Sequence, residues 1–131
     1  NPMVLAVWAI LREIGSAGVR ERIVRHNDCA RRVAERARGT DQLELLAEPV
    51  LSICCFRYRP QGWADEARLD ALNEAILHGI RERGRTVTSS TRVDGRFAIR
   101  PCFINPRSTL ADADALVDEV LTVGRMLEPA A

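Results

Sequence analysis

The residue that most demands a chemical explanation is Arg100. It stands between Ile99 and Pro101 in an apolar strand pattern that follows the Asp94-Gly95 turn. Burying a guanidinium without an anion costs several kcal/mol. Arg100 therefore calls for an acidic residue of this chain or for the carboxylate of a ligand, which its planar fork can hold through two hydrogen bonds. Composition leaves both readings open. The other reactive residue types form no such centre. His26 lies among Arg25, Asn27 and Asp28 without a partner for general-base work and reads as a solvated histidine. His78 falls near the end of a helical pattern, where partial charge suits the helix dipole. Asp112, Asp114 and Asp118 lack the glycine and closing glutamate of a calcium loop. Gly15-x-x-Gly18 sits between helical patterns with no strand before it and no lysine after it, so it is not a phosphate loop. Cys29, Cys54, Cys55 and Cys102 contain no C-x-x-C spacing. They read as four buried free thiols of a cytoplasmic protein rather than as a metal site. No metal-ligating set and no self-contained catalytic set is expected.

Composition narrows the chemistry further. Its 131 residues suit one domain or part of one. Nineteen basic residues against 18 acidic ones leave a net charge of +1, too little to recruit nucleic acid or an anionic membrane. All the basic residues are arginines, so any reaction needing an ε-amine on this chain is excluded. No apolar run approaches the ~20 residues of a membrane span. The opening Asn1-Pro2-Met3 has no signal-peptide character and reads as the start of a piece cut from a longer chain.

The elements that must position these residues follow from periodicity and turn chemistry. Asn1-Pro2 is an N-cap followed by proline at the first helical position. Apolar residues at helical spacing predict helices over 2–15 and 17–38, kinked or broken at the glycines and stopped by Gly39. The arginines between Arg20 and Arg36 alternate with Glu21, Asp28 and Glu35, which reads as a solvated face. Leu43 and Leu45 suggest a short strand, and Val50–Tyr58 a well-buried one. A helix opens near Asp65 and closes at Gly84. Arg85–Thr91 and Arg96–Ile104 read as strands joined by the Asp94-Gly95 hairpin. In the second of these, Phe97, Ile99 and Phe103 would face the core, and Ala98, Arg100 and Cys102 the opposite side. Pro101 places it at a sheet edge or at a bulge. Thr109-x-x-Asp112 opens a last amphipathic helix. The order ααββαββα predicts an α+β fold: an N-terminal helix pair, then a small, mostly antiparallel sheet with helices on one side. The boundaries expected are a helical lead-in over 1–39 and an α+β sandwich over 40–131.

Several short patterns now stand in one order: Trp8-x-x-Leu11-Arg12-x-x-Gly15-x-x-Gly18, Phe56-Arg57 at a strand end, Gly84, Asp94-Gly95-Arg96-Phe97-x-x-Arg100 and Asn105-Pro106-Arg107-Ser108-Thr109. In this they resemble the C-terminal portion of the group II pyridoxal phosphate (PLP)-dependent amino-acid decarboxylases. The resemblance covers nearly the whole chain. It implies the small domain of a cytoplasmic fold-type-I homodimer acting on an amino acid, with PLP held by a large domain absent here. The family's Schiff-base lysine, its ring-stacking histidine and its pyridine-pairing aspartate have no counterpart in this sequence. The family's small-domain arginine matches Arg100. The resemblance implies that Arg100 orients the substrate carboxylate perpendicular to the cofactor ring, so that the breaking bond overlaps the π-system. The apolar start of the first helix would then be covered by the large domain or by the second subunit, and the isolated chain would self-associate. Two other readings are a self-standing ferredoxin-like module that senses an amino acid or mediates dimerisation, and the small domain of another fold-type-I PLP enzyme.

Overall fold

Helical and strand periodicities resolve into three helices and four strands in the computed structural model, which describes residues 1–129. In chain order these are α1 (Pro2–Arg38), β1 (Leu43–Val50), β2 (Ile53–Tyr58), α2 (Glu66–Arg83), β3 (Ser89–Val93), β4 (Arg96–Arg100) and α3 (Leu110–Leu127). The strands lie in the order β1-β2-β4-β3, with every neighbouring pair antiparallel. The fold is α+β, as its element order implies.

Local signals set most of the boundaries. The Asn1 side chain accepts from Met3 N–H, and Asp65 and Thr109 cap α2 and α3 in the same way. Thr109 and Asp112 close a reciprocal capping box. Gly84 ends α2 in the left-handed conformation. Within α1, Gly15 takes φ 71° and ψ 175°, a backbone that only glycine adopts without strain, and the helix breaks there. Gly18 acts differently: a Cβ at this position would come within 2.9 Å of Ile14 Cβ, so it allows the two halves of α1 to approach. Asp94 and Gly95 both have positive φ, at 51° and 77°, as a two-residue hairpin with strand-matched twist requires.

Three strand expectations need correction. Val50–Tyr58 is not one strand. Val50 ends β1, Leu51 turns the chain at φ 54°, and β2 begins at Ile53. The polar strand is Ser89–Val93 rather than Arg85–Thr91, because the five hairpin pairs from Val93↔Arg96 to Ser89↔Arg100 decide its length. Finally, β4 is not an edge strand: it lies between β2 and β3 and ends at Arg100. Pro101 follows the ladder, where no N–H is needed, and its carbonyl accepts from Cys54 N–H. By length and composition, α1 also contains a stretch apolar enough to cross a membrane, contrary to the expectation from run length alone. The difference comes from Ile14, Ala17 and Val19, which keep the stretch apolar past Arg12 and Glu13.

All three helices pack on one face of the sheet. Leu43, Cys54, Phe56, Tyr58 and Ile99 share that face with Ala30, Val33, Ala34 and Ala37 of α1, Ile76 and Ile80 of α2, and Val117 and Val120 of α3. The alanines let α1 lie close to the strands. Gly124 does the same for α3, since a Cβ there would come within 2.6 Å of the Tyr58 ring. β2 and β4 are paired at Phe56↔Ile99, and beyond it α2 supplies the missing partners. The Asn73 side chain accepts from Tyr58 N–H and donates to Tyr58 O, each at 2.8 Å, and Asp70 accepts from Phe97 N–H at 2.8 Å. Replacing Asn73 by Leu leaves the buried Tyr58 backbone groups unpaired, so the expected loss of stability is about 2–4 kcal/mol, read as a lower urea midpoint. An unchanged midpoint would remove Asn73 from this role.

Candidate functional site

The sheet face turned away from the helix-packed core carries the three arginines of the inner strands, Arg57 of β2 and Arg96 and Arg100 of β4. The register sets Glu44 opposite Arg57, and Phe56 opposite Ile99. Continuing it aligns Arg57 with Ala98, and Cys55 with Arg100, on that face. Arg57 is 1% exposed and fully paired: its Nε donates to Glu44 at 2.7 Å and its Nη1 to Glu66 at 2.6 Å. Three elements meet at this guanidinium, namely β1, β2 and the first turn of α2.

Arg100 is the opposite case. It is half-buried, its Nε is buried without a hydrogen-bond partner, and no carboxylate lies within 4.0 Å of it among the described residues. Ser89, its register partner on β3, donates its hydroxyl to the Arg100 carbonyl at 2.9 Å and so anchors the backbone rather than the guanidinium. Cys55, on the other side, has a thiol pKa pushed up by burial and pulled down by the Arg100 charge, with burial prevailing. Arg57 is thus neutralised inside the domain, whereas Arg100 has no carboxylate beside it among the described residues.

The remaining candidates are absorbed into structure. His26 is not merely solvated: its Nε2 donates to Asn105 O at 2.8 Å and ties α1 to the loop before α3. His78 pairs with Glu82 one turn on. The arginine-rich face of α1 is likewise not simply solvated. Arg32 and Arg36 reach Asp114 of α3 at 2.9 and 3.4 Å, and Arg36 also reaches Asp118. Hydrogen bonding from Arg32, followed by the charges of both arginines, holds the Asp114 carboxyl below its ordinary range. No group of three or more metal-ligating side chains occurs among the described residues. Cys29, Cys54 and Cys55 are buried, but Cys102 is exposed, because its strand has ended before it. Burial raises the Cys54 thiol to about 12, which rules it out as a nucleophile near neutral pH. The role of Arg57 was missed in the sequence, although the signal was present: an arginine inside the apolar run of β2 is subject to the same argument as Arg100.

No family model matches the chain. Among curated proteins it is similar to tyrosine decarboxylase 4 of Petroselinum crispum, 33% identical across 90% of this chain and 26% of that protein. It is also similar to the aromatic-L-amino-acid decarboxylase of Bacillus atrophaeus, 30% identical across 80% of this chain and 22% of that protein. Among solved structures, the glutamate decarboxylase domain of a Vibrio parahaemolyticus diaminobutyrate-pyruvate transaminase and L-2,4-diaminobutyrate decarboxylase superposes with TM-score 0.78 and 31% identity, over 92% of this chain and 25% of that one. The Oryza sativa TDC with PLP and tryptamine shares the fold at TM-score 0.82 and 21% identity. The chain spans about a quarter of the length of these relatives.

The Arg57 cluster makes a pH-dependent contribution whose sign follows from Glu66. The hydrogen bond from Arg57 holds the Glu66 carboxyl below its ordinary 4.5. Its contribution is therefore complete above pH 4.5 and is lost as pH falls through the lower folded value. Arg57→Met should lower stability by about 2–3 kcal/mol at pH 7, below the range for a fully buried pair because both glutamates keep solvent access. It should also flatten this acid limb. Urea titrations between pH 3 and 7 would show both effects, and an unaltered pH profile would count against the pairing.

Proposed function

We propose that this chain, which is a portion of a group II PLP-dependent amino-acid decarboxylase, serves as the small C-terminal domain of that enzyme and presents Arg100 to the carboxylate of an amino-acid substrate. The observation that carries this reading is the unpaired guanidinium on the sheet face away from the helices, with a buried Nε that lacks an acceptor. PLP, when bound, supplies the electron sink for the carbanion left by departing CO2. The chain does not itself fit that cofactor as an imine, since it contains no lysine. The amine that carries PLP then belongs to another part of the enzyme.

What Arg100 can contribute is limited by the reaction. The carboxylate loses its charge as CO2 departs, so a tight ion pair stabilises the ground state more than the transition state and slows the step. A half-buried guanidinium, still partly solvated, suits a weaker role. It orients the carboxylate through two directed N–H groups without clamping it. Of the small neighbours of Arg100 on that face, Cys55 and Ala98 are buried beside it, and Cys102, past the strand end, is exposed. The parent enzyme is proposed to be a cytoplasmic homodimer, and the free thiols suit a reducing compartment. The sensing-module reading gains no observation of its own.

In the enzyme carrying this domain, Arg100→Ala and Arg100→Lys should lower kcat/KM by an amount equivalent to roughly 2–4 kcal/mol. The urea midpoint should move far less. Steady-state kinetics beside equilibrium unfolding checks both, and undiminished turnover would remove Arg100 from the substrate site. The 131-residue chain alone, mixed with PLP and then borohydride, should carry no reduced adduct on any side chain. Peptide mapping that located one anywhere but the α-amine of Asn1 would overturn the cofactor assignment.

A further inference from the structure

Arg100 is the last residue of β4, and its backbone is held differently on its two sides. On the N-terminal side, Ile99 is in register with both Phe56 of β2 and Ser90 of β3. On the C-terminal side comes Pro101, which has no N–H. The Arg100 carbonyl is therefore the one hydrogen-bonding group of the peptide that joins them. Ser89 meets that group. It is the register partner of Arg100 in the last pair of the β3–β4 ladder, and its hydroxyl donates to Arg100 O at 2.9 Å. From the other flank, Pro101 O accepts from Cys54 N–H, and Phe103 N–H donates to Ser52 O. The Arg100 stem lies on the sheet rather than in solvent, as its buried Nε shows. A turn of the Arg100 backbone is thus carried through to the guanidinium.

We infer that Ser89 is a positioning residue for decarboxylation: by holding the Arg100 carbonyl, it sets the direction in which the guanidinium leaves the sheet, and so the angle of the substrate carboxylate. The inference rests on the reading proposed above, in which Arg100 orients that carboxylate. Ser89 acts through Arg100 and not on the ligand itself. A serine hydroxyl has one hydrogen to donate, and here it goes to a backbone carbonyl. A carboxylate brings no hydrogen of its own, so it gains no bond from a hydroxyl already committed in this way. The consequence falls on orientation more than on affinity. Without the Ser89 hydroxyl the guanidinium keeps its charge and still attracts a carboxylate. What is lost is the alignment of the breaking bond with the π-system, which governs the chemical step. Thr91 lies two residues on, on the same face of β3, and pairs with Ala98 instead, which makes it the control.

The test uses the full enzyme and measures CO2 release from L-tyrosine, L-tryptophan, L-glutamate and L-2,4-diaminobutyrate. Ser89→Val and Ser89→Thr form an isosteric pair that differs in the hydroxyl, and Ser89→Ala is the smaller variant. Ser89→Val and Ser89→Ala should lower kcat ~10-fold, less than the ~10²-fold that a misplacement of about 1 Å can cost, with KM within about twofold of wild type. Ser89→Thr should restore kcat, and Thr91→Val should leave it unchanged. In an Arg100→Ala background, Ser89→Val should cause no further fall, because a residue acting through the guanidinium has no effect once the guanidinium is gone. Undiminished kcat in both Ser89→Val and Ser89→Ala would overturn the inference. So would equal losses in Ser89→Thr and Ser89→Val, or a further fall in the Arg100→Ala background, either of which indicates a structural effect on the sheet. A raised KM with kcat preserved would also overturn it, since Ser89 would then bind the substrate directly. If Ser89→Val fails to fold, Ser89→Ala carries the same comparison with Arg100→Ala. The two levels fail differently. An impaired Arg100→Ala beside an intact Ser89→Val removes Ser89 alone, whereas an Arg100→Ala enzyme as active as wild type removes the carboxylate role itself.

Discussion

A guanidinium laid on a β-sheet has to find an acceptor, and this domain is organised around meeting that demand once. Arg57 is almost wholly withdrawn from solvent, and desolvating its charge is tolerable only because Glu44 and Glu66 converge on it. The pairing joins neighbouring strands to Glu66, the first residue of α2 after its Asp65 cap. The same helix places Asp70 and Asn73 against the backbone groups of β4 and β2. The helix-packed core and the polar staple on the opposite face thus share one helix start.

The same face holds Arg100 under the same demand, unmet. Pairing Arg57 within the domain occupies both nearby glutamates, and β3 offers Arg100 the hydroxyl of Ser89, which is committed to a carbonyl instead. A strand arginine whose buried Nε has no acceptor is costly for the fold. The apolar first half of α1 follows the same logic in hydrophobic terms. Both features leave surface unsatisfied on parts of the molecule away from the helix-packed core, where a larger body could meet them.

The thiols show how burial can suppress chemistry. Cys54 and Cys55 are adjacent in sequence but lie on opposite faces of β2, and burial raises both. Neither is a ready nucleophile.

Wherever a physical cause lies within a few residues of its effect, the sequence by itself determined the outcome. The caps at Asp65 and Thr109, the αL stop at Gly84, the break at Gly15 and the Asp94-Gly95 hairpin each need one short side chain or one positive φ. The absence of lysine, and what that forbids, needs no structure at all. Tertiary structure decided everything that depends on a distant partner. Strand ends moved because pairing, not propensity, terminates a ladder, which is why Pro101 falls just past an inner strand rather than on an edge. Arg32 found Asp114 from 82 positions away, and His26 found Asn105 from 79. Arg57 and Arg100 are alike in sequence, each inside an apolar strand pattern. They differ because two glutamates converge on one and none reaches the other, a distinction of distance in space that no local pattern encodes.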